Sequence, residues 1–277
     1  MPWPWQKWSR QKDRKLETSQ EKRTKKIGLA LSGGSVRGSA HLGVLEVLER
    51  EGIHPDYVAG TSAGSIVGAM YCSGMPLNEM KRLSKEIRWN KLGRITRPGL
   101  GFFDISRLED YMDKLLQSRS FDQLPVPFAA VAVDILRGQV VVLREGAVSR
   151  AVRASCSLPG TFTPLEEEDR LLVDGGLINN LPVSVVKEMG ADYVIAVDLG
   201  SMKTKHPRPR NVLEMLNLSY YTLINFTHSE ANLADCLIQP DVSRFNFIDF
   251  SQTQALIDEG RQAAKAAIPQ LRHDLGI

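Results

Sequence analysis

The stretch DYVAGTSAGSIVGAM, residues 56–70, decides the fold. It joins an apolar run typical of a buried strand to an apolar run typical of a helix through a few small residues. At the junction, residues 60–64 read GTSAG, which has the form G-x-S-x-G. On such a strand-to-helix turn the serine projects its hydroxyl beyond the sheet edge, and glycines allow strand and helix to approach closely. We therefore predict that Ser62 is a nucleophile and that Gly60 and Gly64 make room for its turn.

The first glycine-rich loop, LSGGSVRG at residues 31–38, follows another apolar strand and opens another helix. Its backbone N–H groups can converge on negative charge, with the N–H of Ala63 as a second donor. From the residues alone, the expected donors are the N–H groups around Gly34 and Ser35, together with that of Ala63. The same loop could instead cradle the phosphates of a nucleotide, although it reads G-G-S-V-R-G and not G-x-G-x-x-G.

An acidic residue ends a further strand in RLLVDGG, residues 170–176. Asp174 at the sheet edge can lie beside Ser62 and take its proton, and Gly175 and Gly176 remove side-chain bulk there. The simpler alternative is an aspartate that caps a turn.

A catalytic triad would need a histidine after the acid in the chain. His206 lies in a basic, proline-containing stretch and His228 in a helical one, and neither has the surroundings of a triad member. The sequence therefore offers no good third member for a triad.

Apolar runs alternate with helical patterns along residues 27–277, which predicts one α/β domain with a mostly parallel sheet covered on both faces. Trp89 to Ser106 has the composition of a loop. Longer helices are expected in four segments: Arg107 to Gln117, Pro182 to Met189, Asn211 to Ala234 and Gln252 to Arg272.

The charge of +3 is uneven. Residues 1–26 contain nine Lys/Arg, three Asp/Glu and three of the four Trp, and we expect a flexible tail. Basic residues beside tryptophans also suit the surface of an anionic membrane, whereas no nucleic-acid-binding motif is present.

The three cysteines are far apart, no apolar run is long enough to span a bilayer, and no secretory signal is evident. These features predict a soluble, cytoplasmic protein, with peripheral attachment to the inner face of the membrane as an option. They give no indication of oligomeric state.

Four motifs in order, LSGGSVRG, GTSAG, AVRASCSLPGTFTPL and VDGGLINNLPV, resemble the patatin-like phospholipase family, especially its small bacterial members. The resemblance covers roughly residues 26–200 and implies a three-layer α/β/α sandwich. It also implies a Ser-Asp dyad at Ser62 and Asp174, and no metal or organic cofactor. The oxyanion or substrate-binding set that it implies is Gly33, Gly34, Ser35, Val36, Arg37 and Gly38, with Ala63 beside the nucleophile. The third glycine of the family's loop is Ser35 here, which would be strained if that position requires a positive φ.

The implied activity is hydrolysis of acyl esters in phospholipids, lysophospholipids or related lipids. The alternative is a lipid-binding or regulatory module of the same fold with little turnover.

Overall fold

The computed structural model describes residues 25–88, 93–96, 99–200, 208–226 and 230–277. The main sheet has eight strands: β1 (Ile27–Leu31), β2 (Tyr57–Thr61), β5 (Phe128–Asp134), β6 (Gln139–Leu143), β8 (Leu165–Glu167), β9 (Arg170–Asp174), β10 (Tyr193–Val197) and β11 (Cys236–Ile238). Their order is β11-β10-β1-β2-β5-β9-β8, with β6 also paired to β5. Strands β1, β2, β5, β10 and β11 pair in parallel, and β6, β8 and β9 pair antiparallel.

Helices cover both faces of this sheet. Alternate residues of β1 enter two separate apolar clusters: Leu29 and Leu31 pack with the larger one, and Ala30 packs with the smaller one. Strands buried on both faces are typical of parallel α/β sheets. The helices are α1 (Ala40–Arg50), α2 (Ala63–Cys72), α3 (Leu77–Glu86), α4 (Ser106–Leu116), α5 (Val148–Ser155), α6 (Val183–Glu188), α7 (Val212–Phe226) and α8 (Thr253–Leu275). The predicted three-layer, mostly parallel architecture is confirmed.

Strand register brings the predicted site residues to one sheet edge. Thr61, the last residue of β2, pairs with Val131 of β5, and Asp174 pairs with the next residue of that strand, Ala132. On the other side of β2, Leu31 pairs with Gly60, so the first glycine-rich loop leaves the sheet beside the GTSAG turn. Three segments far apart in sequence therefore end together.

Two expectations about local structure were wrong. The segment from Trp89 to Ser106 is not simply a loop, because it contains β3 (Arg94–Ile95) and β4 (Gly101–Asp104), which form a small second sheet with β7 (Gly160–Phe162). Strands this short form through pairing with distant residues and leave no periodicity in the sequence. The helix expected from Asn211 to Ala234 is α7, which ends at Phe226, and a separate 3₁₀ turn follows at Ala231–Leu233.

The folded domain includes the end of the predicted basic tail. Lys25 Nζ donates a hydrogen bond to Asp274 O at 2.8 Å, and Lys26 Nζ pairs with Asp56 at 2.7 Å. Residues 1–24 lie outside the described residues. Within the described ranges, no helix has the length and apolar character needed to cross a membrane.

Candidate active site

Ser62 occupies a strained turn between β2 and α2, with φ 52° and ψ −121°. Non-glycine residues rarely adopt such backbone angles, and the cost is about 1–3 kcal/mol. A Cβ on Gly60 would lie 2.4 Å from Gly64 O, and one on Gly64 would lie 2.2 Å from Leu31 O. The two glycines are therefore required by close backbone approach, as the motif predicts.

Hydrogen bonds hold Ser62 in this conformation. Its backbone N–H donates to Ser155 Oγ at 2.8 Å. Its carbonyl oxygen accepts bonds from the backbone N–H and the hydroxyl of Ser65, at 2.8 and 2.7 Å. Ser155 lies at the end of α5, so this helix helps to fix the turn.

Asp174 is 2% exposed at the end of β9. Its Oδ1 accepts a hydrogen bond of 2.9 Å from the backbone N–H of Gly176, and its carboxylate interacts with the side chain of Ser62. A Cβ on Gly175 would lie 2.4 Å from Val131 O, so the glycine after the aspartate lets this turn pack against β5. The structure thus brings Asp174 and Ser62 together at one site.

Burial raises the pKa of Asp174 to about 6, even though Ser62, Gly176 and Tyr220 each lower it. An ordinary aspartate has a pKa of about 3.9 and is a weak base at neutral pH. A carboxylate with a pKa near 6 is still mostly ionised at pH 7 but accepts a proton more readily. The site can therefore support general-base chemistry.

Only part of the predicted oxyanion loop has free N–H groups. Gly33 N donates to Asn180 O, Val36 N donates to Phe247 O, and the N–H of residue 37 donates to Gly34 O. The N–H groups of Gly34 and Ser35 have no hydrogen-bond partner among the described residues.

The N–H of Ala63 belongs to the first turn of α2 and likewise has no partner in the described part of the chain. Gly38 allows the loop to approach this turn, since a Cβ there would lie 2.6 Å from Ala63 Cβ. The candidate donors are therefore the amides of Gly34, Ser35 and Ala63.

Ser35 has a φ of 54°, which is the left-handed region that favours glycine. Its hydroxyl donates a hydrogen bond of 2.7 Å to Phe247 O. The strain expected from a serine in place of the third loop glycine is thus present, and the side chain provides a compensating contact.

Arg37 is buried and contacts residues far along the chain. Its guanidinium donates bonds of 3.1 and 2.7 Å to Phe245 O and lies 3.7 Å over the ring of Phe247. Burial lowers its pKa to about 10, so it remains charged at neutral pH. These contacts hold the glycine-rich loop against Phe245 and Phe247.

An apolar cavity of about 740 Å³, its open mouth included, contains both Ser62 and Asp174; we call it the catalytic cavity. Its apolar walls include Ile66, Ile105, Leu108, Leu158, Phe162 and Ile224. Asp174 is the only charged side chain among its described lining residues. A mostly apolar cleft with a few convergent polar groups is typical of a small-ligand site.

Two further residues at the site escaped prediction. The hydroxyl of Tyr220, on α7, is buried beside Asp174 and lowers the pKa of that carboxyl, although the two groups do not meet strict hydrogen-bond geometry. A Cβ on Gly176 would lie 2.7 Å from this hydroxyl. Asn180 Oδ1 is buried without a hydrogen-bond partner among the described residues, 2.5 Å from the position of a Cβ on Gly33. Tyr220 lies in an amphipathic segment that reads as ordinary core, so no local signal marked it.

No histidine lines the catalytic cavity within the described ranges. His41 is fully buried, with Nε2 2.8 Å from Ser32 O, and burial lowers its pKa to about 4. The two triad candidates, His206 and His228, lie outside the described residues. Across the described part of the chain, no three His, Cys, Asp or Glu side chains cluster as metal ligands would.

Comparison with known proteins agrees with this geometry. The sequence profile of the patatin-like phospholipases matches residues 29–187. The chain belongs to the patatin-like phospholipase family. The matched residues include the glycine-rich loop, the GTSAG turn and Asp174, whereas α7 with Tyr220 lies beyond them.

The curated relatives are longer proteins. An uncharacterized NTE family protein of Mycobacterium tuberculosis is 32% identical over 276 residues, covering 90% of this chain and 47% of that protein. Human patatin-like phospholipase domain-containing protein 6 is 30% identical over 278 residues, covering 87% of this chain and 20% of its own length. This chain thus spans about half the length of the mycobacterial relative and about a fifth of the length of the human one.

Two solved structures share the patatin-like fold at low identity. VipD from Legionella pneumophila superposes with a TM-score of 0.61 at 14% identity, over 89% of this chain and 67% of VipD. ExoU, in its complex with SpcU from Pseudomonas aeruginosa, superposes with a TM-score of 0.52 at 16% identity, over 89% of this chain and 52% of the other.

Proposed function

We propose that the protein is a serine acyl-ester hydrolase that uses Ser62 and Asp174 as a dyad. Membership of a family of lipid hydrolases supports hydrolysis of a lipid in general. The observation that carries the dyad is the placement of a strained serine beside a buried carboxylate with a raised pKa, in one apolar cavity.

The reaction has two stages. Ionised Asp174 accepts the hydroxyl proton of Ser62 as Oγ attacks the ester carbonyl, and the carbonyl oxygen becomes an oxyanion. The free N–H groups of Gly34, Ser35 and Ala63 would stabilise that charge, as would the N-terminus of α2. The tetrahedral intermediate then collapses to an acyl-serine, and its ester C–O bond breaks as the leaving alkoxide takes the proton from Asp174. Water next attacks the acyl carbonyl while Asp174 accepts a proton from it, and transfer of that proton to Ser62 Oγ releases the fatty acid.

The substrate class proposed is a phospholipid, a lysophospholipid or a related lipid ester. An apolar cavity suits an acyl chain, because burial of each methylene is favourable by about 0.8 kcal/mol.

Labelling with an alkyl fluorophosphonate tests the dyad most directly. This reagent phosphonylates activated serines, and we expect one adduct, mapped to Ser62, that Asp174→Ala abolishes together with hydrolysis of lipid esters. Ser62→Ala should abolish both while leaving thermal unfolding nearly unchanged.

The strained Ser35 favours a second candidate, a lipid-binding module with little turnover. That function predicts no adduct and no hydrolysis in the folded protein, together with lipid binding that survives Ser62→Ala. The same labelling experiment separates the two.

We also propose that the basic tail, residues 1–26, attaches the protein peripherally to an anionic membrane. Its net charge of +6 follows from nine Lys/Arg less three Asp/Glu. Deletion of residues 1–24 should weaken co-sedimentation with phosphatidylglycerol vesicles, and salt should weaken binding of the full chain. Equal co-sedimentation of both forms would show that the tail does not bind membranes.

A further inference from the structure

A second apolar cavity adjoins the catalytic cavity. This side cavity measures about 540 Å³ with its mouth and extends between α1, α2 and α3. The two cavities share six lining residues: Ser35, Val36, Ala63, Ile66, Ile87 and Phe250. Ser35 and Ala63 are also the residues whose free amides face the proposed oxyanion, so both cavities meet at the reaction centre.

The walls of the side cavity suit a hydrocarbon. Apart from the shared residues, Leu42, Val67, Met70 and Leu83 form much of its lining. No charged side chain lines it among the described residues. An apolar cavity holds water poorly and favours an apolar guest.

We propose that the side cavity holds the second acyl chain of a diacyl glycerophospholipid while the first chain occupies the catalytic cavity. The proposal rests on the acyl-ester hydrolase function given above. In such a lipid, two ester-linked chains diverge from neighbouring carbons of glycerol. The two apolar cavities meet at the amides proposed to bind the oxyanion, so each can take one of the two diverging chains. A lipid with one chain would leave the side cavity empty.

The lack of basic side chains among the described residues of both cavities indicates that the phosphate head group of the lipid stays outside them. No Lys or Arg lines either cavity within the described ranges, so neither compartment offers a countercharge to a phosphate. An unpaired phosphate would be costly to bury there. Selectivity should therefore depend on the number and length of the chains.

Two substitutions can fill the side cavity without touching the catalytic residues. Ser84 is half-buried on α3 and lines only the side cavity, so Ser84→Trp places an indole in it. Ser39 also lines only the side cavity and makes no side-chain capping bond to α1, so Ser39→Leu narrows the cavity from a different element. Lys85→Trp is the matched control, because it adds the same side chain on the exposed side of α3.

The experiment compares hydrolysis of 1-palmitoyl-2-acyl phosphatidylcholines in mixed micelles, with acetyl, hexanoyl, decanoyl or palmitoyl as the second chain. We expect kcat/KM to rise with the length of the second chain in the wild type and in Lys85→Trp. In Ser84→Trp the ratio of palmitoyl to acetyl substrate should fall about tenfold or more, because methylenes lose their apolar site. Ser39→Leu should lower it in the same direction.

Fluorophosphonate labelling and thermal unfolding of each variant show whether Ser62 and the fold are intact. Ratios that remain at the wild-type value in labelled, folded Ser84→Trp and Ser39→Leu would overturn the side-cavity proposal and leave the hydrolase function standing. Absence of labelling and turnover in the wild type would instead overturn the hydrolase function. In that event, binding of diether and monoether phosphatidylcholine to the wild type and to Ser84→Trp tests whether the side cavity holds a second chain. If Ser84→Trp binds the diether lipid as tightly as the wild type does, the side-cavity proposal is rejected.

Discussion

The backbone N–H of Ser62 donates a 2.8 Å hydrogen bond to the hydroxyl oxygen of Ser155. This bond joins the strained turn to the end of α5, which is far from it in sequence. A residue with φ 52° and ψ −121° persists only where its surroundings hold it, so Ser155 is the natural residue to test.

Ser155→Ala should destabilise the protein by about 1–3 kcal/mol, since the Ser62 N–H loses its partner. Labelling of Ser62 by the fluorophosphonate should slow by about tenfold or more, because small displacements of a nucleophile cost large factors in rate. Ser157→Ala is the control: Ser157 is equally buried and bonds Arg153 O at 2.9 Å, away from the turn. Equal labelling rates in the two variants would show that Ser155 has only a general packing role.

The raised pKa of Asp174 predicts how reactivity depends on pH. The base must be ionised to accept the proton of Ser62, and its pKa is about 6. The labelling rate should therefore level off above pH 7 and fall about tenfold per pH unit below pH 6. A rate that stays constant from pH 5 to 8 would mean that Asp174 keeps an ordinary pKa or is not the base.

The same shift should be visible in stability. The folded carboxyl binds its proton more tightly than the unfolded one, whose pKa is about 3.9. The associated stability is fully present below pH 4 and is lost as pH rises through 6, a change of about 3 kcal/mol at 1.36 kcal/mol per pKa unit. Urea denaturation of the wild type and Asp174→Asn at pH 4 and pH 8 measures this change in the free energy of unfolding. From pH 4 to pH 8, the wild type should lose stability relative to Asp174→Asn. A difference that does not change with pH would contradict it.

The sequence predicts the strand ends well because their chemistry is local. A buried strand followed by GTSAG or DGG places Ser62 and Asp174 at strand ends. Parallel pairing of β1, β2 and β5 brings the first glycine-rich loop beside Ser62, whereas the position of Asp174 depends on the antiparallel register of β9 against β5. The sequence also singles out Ser35, because a serine stands where the family's loop carries glycine, but its positive φ is seen only in the structure.

What the sequence does not reveal depends on packing between distant elements. Tyr220 reaches Asp174 only because α7 lies across the catalytic cavity, and its amphipathic pattern is the same as that of any helix packed on a core. The contact between Ser155 and Ser62 depends similarly on how α5 packs. The short strands β3, β4 and β7 form only through pairing with one another.

The conformation of Ser35 predicts that two small substitutions differ in their effect on stability. Ser35→Ala keeps the cost of a positive φ and loses the bond to Phe247 O, so it should destabilise by about 1–2 kcal/mol. Ser35→Gly loses the same bond but relieves the strain, so its stability should lie close to the wild type. Urea denaturation of both variants measures the difference. An alanine variant as stable as the glycine variant would show that Ser35 is not strained.

Tyr220 supplies the last prediction. Its phenol lowers the pKa of Asp174, and burial raises its own pKa well above the ordinary value, so it remains a protonated donor beside the carboxylate. Tyr220→Phe removes that donor and should move the acidic limb of the labelling rate to higher pH. Tyr221→Phe is the control, because Tyr221 lines the same cavity but stacks on Phe247 at 3.7 Å. If the pH at which the labelling rate falls shifts equally in both variants, or in neither, Tyr220 contributes only packing to the site.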